Sequence, residues 1–223
     1  RNKLISLPKI GLDESSHDYQ LDQQEIKRLK ALNLSHQRIN LHLSDPGYKA
    51  KLYRLCEDAN KLNLKLETAL FLSKNAEEEL IEFTKLLEEI KPPIETWLIF
   101  HEEEITTSKK WILLSKKYLN KYDNNIKIGS GTNVFFTDLN RSVTSTEIMD
   151  FVSYSINPQV HAFDNLSLIE SLEAQGKTIE SAKKLSKNIP IAVTPITFKM
   201  RFNPNANTLK EELKNDQLPS QVD

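Results

Sequence analysis

The segment DFVSYSINPQVHAFD, residues 150–164, decides how the rest of the sequence is interpreted. Its first half is rich in aromatic and β-branched residues, which is typical of a strand. Pro158 ends that strand, because proline cannot donate a hydrogen bond to a neighbouring strand. Polar residues follow directly, among them His161 and Asp164. This order is typical of the carboxyl end of a strand in a parallel (β/α)8 barrel, where such enzymes carry their catalytic residues.

Strand and helix patterns alternate along the rest of the chain. Strand starts recur about every 28 residues over the first four units, the spacing of βα repeats joined by short loops. Connections of this length make the strands parallel, with right-handed crossovers. We count about seven strands, whereas a closed barrel of this type has eight. The sequence therefore predicts an α/β fold, a (β/α)8 TIM-type barrel that is incomplete at its C-terminus, with about seven of eight βα units.

The predicted domain boundaries follow from this count. Residues 1–8 are an N-terminal lead-in, residues 9–203 the truncated barrel domain, and residues 204–223 a polar tail or linker. An open doubly wound sheet is the alternative, but the glycine-rich nucleotide turn with which such sheets usually begin is absent. We interpret Gly129 to Gly131 as a loose glycine turn, followed by a long polar excursion to Arg141, and we expect the helix after the central strand to break near Gly176.

Composition and charge exclude several classes of function. The 223 residues carry a formal net charge of −1, so there is no basic excess of the kind that neutralises nucleic-acid phosphates. No apolar run approaches the roughly 18 residues of a membrane span. Cys56 is the only cysteine, which rules out an intrachain disulfide, and it falls in an apolar helical stripe that predicts a buried position. We expect a cytoplasmic protein that binds neither nucleic acid nor membrane.

Polar residues at the predicted strand ends suit a polyhydroxylated ligand, whose hydroxyl groups need paired donors and acceptors. His161 is the candidate general acid/base, and Asp164 would orient it. Asp138 would hold or activate water. The candidate substrate-binding residues are Asn133, Asn140, Arg141, Asn157, Glu67 and Arg201.

Each candidate has a simpler interpretation. Asp164 would cap the helix that begins after it, and Asp138 would pair with Arg141 across a turn. We interpret His42 as structural and facing the helix layer. The sequence lacks the HExxH and cysteine-cluster signatures of zinc, and we assign no metal ligand and no cofactor, although His, Asp and Glu are available at the strand ends.

Three segments resemble the barrel domain of the D-apionate lactonase family. They are GSGTNVFFTDLNR (129–141), DFVSYSINPQVHAFDNLSLIESLEAQ (150–175) and PITFKMRFNPNA (195–206), and the SINPQVHAFD run is the most specific. The resemblance implies a bacterial enzyme of carbohydrate catabolism with a glycoside-hydrolase-like barrel. It also implies hydrolysis of a sugar-derived lactone, D-apionolactone, and further domains in the same full-length protein. The family pattern has glutamate where this chain has Asp138, so the shorter carboxylate would sit one methylene back.

Two other functions remain open at this point. A glycosidase would need two carboxylates about 5–10 Å apart across the barrel mouth. Glu67, Glu102 and Asp138 are the available candidates. The second alternative is a non-catalytic carbohydrate-binding or scaffold barrel within a larger polypeptide.

Overall fold

A computed structural model describes residues 7–15, 17, 19–142, 146–158, 164–187 and 189–198. The chain divides into two compact units, each described below by itself. The first comprises Arg1–Glu102 and Lys110–Ile128, and the second Glu103–Lys109 and Gly129–Asp223. Seven strands lie within the described residues, in agreement with the number that the sequence predicts.

The first unit alternates strands and helices. Its elements are β1 (Gly11–Asp13), α1 (Gln23–Ala31), β2 (His36–His42), α2 (Tyr48–Leu62), β3 (Lys65–Leu72), α3 (Ala76–Ile90), β4 (Ile94–His101) and α4 (Lys109–Tyr122). Strand β2 pairs in parallel with both β1 and β3, and β3 pairs in parallel with β4. The parallel arrangement that the long connections predict is therefore present.

Left-handed asparagines end the first two helices. Asn33 follows α1 with φ 51°, and Asn63 follows α2 with φ 57°. Asparagine tolerates this region better than most residues, so the repeated Leu-Asn-Leu sequence stops each helix and starts the next strand. Helix α3 begins after Asn75, whose side chain makes no capping hydrogen bond there.

The core of the first unit lies between the strands and the helices. Ile39 and Leu41 of β2 are fully buried against α2 and α3 residues such as Leu52 and Phe83. Each fully buried side chain of this size contributes roughly 1.5–3 kcal/mol relative to an exposed one. Cys56 belongs to this core and is 5% exposed, which confirms the predicted buried position.

The second unit contains the greater part of β5 and two further strands. Its elements are β5 (Lys127–Phe135), α5 (Phe136–Arg141), a short 3-10 helix (Thr146–Ile148), β6 (Phe151–Ile156), α6 (Asn165–Leu185) and β7 (Ile191–Ile196). Strand β6 pairs in parallel with β5 and with β7. The predicted polar excursion to Arg141 is wrong, since the strand continues to Phe135 and a helix follows at once.

Two glycines of β5 allow a close approach of β6. A Cβ at Gly129 would lie 2.4 Å from the Phe151 ring, and a Cβ at Gly131 would lie 2.2 Å from the Ser153 carbonyl oxygen. Gly131 also has φ 150°, which side chains rarely adopt. The predicted loose glycine turn is therefore part of a strand, and its glycines serve strand pairing.

Helix α6 runs without interruption past Gly176, where the sequence predicts a break. A Cβ at Gly176 would meet no atom within 4 Å, so the residue is not required by any close packing. Nearby, the Tyr154 hydroxyl of β6 lies 2.9 Å from the Thr178 hydroxyl. Packing against the sheet outweighs the propensity cost of one helical glycine, which is about 1 kcal/mol.

Candidate functional site

Strand β2 separates its side chains between two faces. Ile39 and Leu41 enter the core beneath the helices, so the alternate residues face away from the helices. These are His36, Arg38, Asn40 and His42. We call this face of the first unit the inner face. Parallel register places Asp13 of β1 and Glu67 of β3 opposite Arg38 on the same face.

Arg38 lies at the centre of a polar network on the inner face. It is 2% exposed, and its Nε and Nη2 donate to the Asn40 Oδ1 over 3.2 and 3.0 Å. Burial lowers the pKa of the Arg38 guanidinium, while the carboxylates of Asp13, Glu67 and Glu14 oppose that shift. Arginine nevertheless remains charged in proteins, so a buried positive charge is held among three carboxylates.

Asn40 is fixed by its backbone as well as by its amide. Its Nδ2 donates to Asp13 Oδ1 over 3.0 Å, and its backbone N–H donates to Glu14 Oε1 over 2.8 Å. Lys51 donates to the Asn40 carbonyl oxygen and forms an ion pair with Glu14, each over 2.9 Å. The carboxyl end of β1 and the middle of β2 are therefore locked together by charge-assisted hydrogen bonds.

His42 ends the inner-face row of β2. Its Nδ1 lies 3.0 Å from Glu102 Oε1, and its ring stacks on Phe71 with centroids 4.3 Å apart. Ser44 donates to the same Glu102 oxygen over 2.7 Å. The prediction that His42 faces the helix layer is wrong, because two-residue alternation puts it on the side opposite Ile39 and Leu41.

The neighbouring histidine of β4 has the opposite orientation. His101 is 5% exposed and stacks on Trp111 of α4, with ring centroids 4.3 Å apart. The next residue, Glu102, contacts His42 of the inner face instead. Counting alternate positions from Trp97 and Ile99, which are both in the core, assigns His101 to the helix side.

Among the predicted substrate-binding residues, Glu67 is the one on the described inner face. Its carboxylate Oε2 lies 4.0 Å from His36 Nε2, and the residue is 7% exposed. Together with its register position beside Arg38, this burial makes Glu67 a counter-charge within the network.

The predicted residues of the second unit occupy three separate places. Asp138 and Arg141 lie on α5 with an N–O separation of 3.9 Å, so the simple pairing is present. The Asn157 amide donates to the Thr197 hydroxyl over 3.3 Å, just after β6. Asn133 is a half-buried residue of β5, and Asn140 is exposed on α5.

Asp164 caps helix α6, as the simpler interpretation expects. Its carboxylate accepts the Ser167 backbone N–H over 2.9 Å, and this hydrogen bond lowers the pKa of Asp164. His161 and Arg201 lie outside the described residues. The proposed roles of His161, Asp164 and Asp138 in catalysis therefore stay predictions.

The described residues contain neither a metal-binding cluster nor a membrane-spanning helix. No group of three or more His, Cys, Asp or Glu side chains is arranged there to hold a metal ion. None of the helices described is both long enough and apolar enough to cross a membrane.

The family assignment comes from comparison with known proteins. Residues 10–223 match the family described as D-apionate lactonase, TIM barrel domain. The chain belongs to this family. The match covers most of the sequence and confirms the resemblance and the (β/α)8 TIM-type fold that the βα repeats predict. The inner face is thus the face that points into the barrel in the D-apionate lactonase fold.

Three named proteins are similar to this chain in sequence or in structure. A D-apionate lactonase from Brucella anthropi is 37% identical over 87 residues, which is 39% of this chain and 14% of that protein. A family 51 α-L-arabinofuranosidase from Bifidobacterium longum has a TM-score of 0.58 at 12% identity, over 83% of this chain and 54% of that one. A β-glucuronidase from Ruminococcus gnavus, in complex with D-glucaro 1,5-lactone, has a TM-score of 0.54 at 14% identity, over 84% of this chain and 35% of that one.

These likenesses differ in what they establish. At 12% and 14% identity, the two glycosidase structures show the barrel fold of the D-apionate lactonase domain and nothing of its substrate. The aligned part of the chain spans only 14% of the length of the curated lactonase.

Proposed function

We propose that the protein is a hydrolase that opens a sugar-derived lactone, of the D-apionolactone type, to the hydroxy acid. The observation that carries the proposal is the match of residues 10–223 to the D-apionate lactonase barrel family. The curated bacterial relative bears the same name. Water is the second substrate, and no cofactor enters the proposal.

The inner face supplies groups of the kind that such a substrate requires. Asp13 is exposed at the carboxyl end of β1, beside the fixed amide of Asn40. A carboxylate accepts up to about four hydrogen bonds, so Asp13 has capacity for sugar hydroxyl donors. A polar network that is already locked in place binds hydroxyl groups without a further ordering cost. This arrangement favours a polyhydroxylated ligand over an apolar ester.

We place the enzyme in the bacterial cytoplasm as part of the same proposal. The buried free thiol of Cys56 is compatible with a reducing compartment, and the curated relative is bacterial. Carbohydrate catabolism is the corresponding setting.

The test is lactone hydrolysis by the full-length protein in a pH-stat, with a panel of sugar γ- and δ-lactones. Acid release above the spontaneous rate, abolished by heat denaturation, is the expected result. Parallel assays with chelator and with nitrophenyl glycosides separate the alternatives. Glycoside cleavage without lactone hydrolysis would favour the glycosidase, and sugar binding without any turnover would favour the non-catalytic barrel. Either outcome contradicts the lactonase proposal.

A further inference from the structure

We propose that His42 and Glu102 are the water-activating pair of this enzyme, with His42 as general base and Glu102 as its positioning residue. The inference rests on the lactonase function proposed above and names the groups that would perform it. It names His42 in the first unit as the base in place of the predicted His161.

The hydrogen bonds of Glu102 determine which ring nitrogen of His42 is free. Glu102 Oε1 accepts from Ser44 Oγ over 2.7 Å and lies 3.0 Å from His42 Nδ1. An ionised carboxylate can only accept, so we assign the ring proton to Nδ1. The lone pair then resides on Nε2. A carboxylate that fixes the tautomer in this way is the usual means of preparing histidine as a base.

Aromatic packing fixes the plane of the imidazole. The His42 ring lies almost parallel to the Phe71 ring, with an angle of 7° between them, and Phe71 packs in turn on Phe100 at 5.2 Å. The ring is thus held from one side by β3 and at Nδ1 by the residue that follows β4. A base whose orientation is fixed in advance avoids an ordering cost in the transition state.

Exposure distinguishes His42 from the other strand histidines. The side chain of His42 is 50% exposed and that of Glu102 is 29% exposed, whereas the His36 side chain is 17% exposed. His101 is buried against a helix. His42 therefore combines an oriented ring with access for water and substrate.

The position of His42 along β2 also matches a sugar substrate. Asn40 lies two residues earlier on the same face, about 6.6 Å along the strand. That distance is comparable to the width of one sugar ring. A lactone whose hydroxyls contact Asp13 and Asn40 would extend along β2 toward His42.

The reaction balances with water as the only co-substrate. His42 Nε2 takes a proton from water as the water oxygen bonds to the lactone carbonyl carbon. In the tetrahedral intermediate the bond between that carbon and the ring oxygen breaks. The imidazolium then returns its proton to the departing ring oxygen. One lactone and one water give one open-chain hydroxy acid.

The test compares His42→Ala, His42→Asn and Glu102→Gln in the full-length protein, with Glu82→Gln as the matched control. Glu82 is an exposed carboxylate paired with Lys49 on the helices of the first unit. We expect His42→Ala and His42→Asn to lower kcat about 100-fold or more, with little change in KM. Added imidazole should restore part of the His42→Ala activity. Glu102→Gln should lower kcat about 10-fold or more, and Glu82→Gln should not change it.

Each contrary outcome is distinct. If the unmodified protein hydrolyses no lactone, the proposed function fails and this inference fails with it. If it hydrolyses lactone and the His42 variants do so equally well, only the inference fails. Loss of turnover without imidazole rescue, in a His42→Ala variant with an unchanged Tm, would make His42 structural and overturn the proposal. If the His42→Ala variant does not fold, the His42→Asn variant tests the proposal, because its amide can still donate to Glu102.

Discussion

Arg38 reaches along its own strand to the side chain two residues ahead, donating to Asn40 Oδ1 from both Nε and Nη2. This contact joins a buried cation to the amide that anchors Asp13. We expect Arg38→Met to reduce the free energy of unfolding by about 3–5 kcal/mol, because it leaves the carboxylates of Asp13, Glu14 and Glu67 without their central charge. Arg38→Lys should destabilise the protein less, because it keeps the positive charge although it loses the planar guanidinium. Urea unfolding measures the free energy of unfolding of both variants. Equal stability of Arg38→Met and the unmodified protein would contradict the role of Arg38 as the central charge of the network.

The two candidate histidines can be compared directly. If His161 is the general acid/base, His161→Ala should lower turnover of a sugar lactone about 100-fold or more. If His42 has that role, His161→Ala should have a much smaller effect. Parallel kcat measurements on the two single variants assign the base, and near-normal activity of His161→Ala excludes His161.

Asp164 has a structural role that can be separated from a catalytic one. Asparagine caps a helix as well as aspartate does, so Asp164→Asn should keep the Tm whereas Asp164→Ala should lower it by about 2–4 °C. A large loss of activity in Asp164→Asn at unchanged Tm would indicate an orienting role instead.

The stabilisation that Asp164 provides should fall as the pH is lowered. Its hydrogen bond to Ser167 lowers the pKa of Asp164 below the ordinary 3.8. The carboxylate therefore stabilises the fold fully above that value, and the contribution is lost as the pH falls through the lowered pKa. Thermal melting from pH 6 to pH 3 should show the unmodified protein approaching Asp164→Ala at the acid end, and a constant difference would contradict this.

Cys56 should resist thiol reagents in the folded protein. Burial raises the pKa of the Cys56 thiol to about 11, so at pH 8 only about one molecule in a thousand carries the reactive thiolate. Labelling with a chromogenic disulfide reagent should be slow in buffer and fast in denaturant. Rapid labelling without denaturant would show that the α2 core opens.

Two glycine substitutions should have opposite effects on stability. Gly131→Ala places a methyl group against the Ser153 carbonyl at a positive φ, so it should destabilise the protein by about 2 kcal/mol or more. Gly176→Ala adds a methyl group to open space inside α6 and should stabilise it by about 0.5–1 kcal/mol. Chemical denaturation measures the change in the free energy of unfolding for each variant. Changes in the same direction would contradict these roles of the two glycines.

The sequence predicts the repeating architecture well, because its signals are local. Left-handed Asn33 and Asn63 stop helices whose apolar spacing is regular, and β3 begins two residues after Asn63, at Lys65. Strand β5 was underestimated, since Gly-Ser-Gly-Thr-Asn has low strand propensity. Its glycines are needed by the neighbouring strand β6, which is a tertiary requirement.

The candidate site was predicted less completely for a similar reason. The sequence indicates that polar residues follow the strands, and Asp164, Asp138 and Arg141 were proposed in this way; their roles in a site stay predictions. The pair of His42 and Glu102 depends on two residues 60 positions apart that meet only after folding. Strand alternation could have predicted the orientation of His42. Ile39 and Leu41 are apolar and share one face of the strand, so His42 must lie on the other face.

The alternation of β2 has a consequence for engineering. Ile39 and Leu41 support the fold, whereas Asn40 and His42, interleaved with them, face the proposed ligand. Core packing and the proposed ligand contacts thus alternate residue by residue along one short segment. A library that varies Asp13 and Asn40, and keeps Arg38 for stability and His42 for the proposed chemistry, would alter ligand contacts while leaving the helix-packed layer intact.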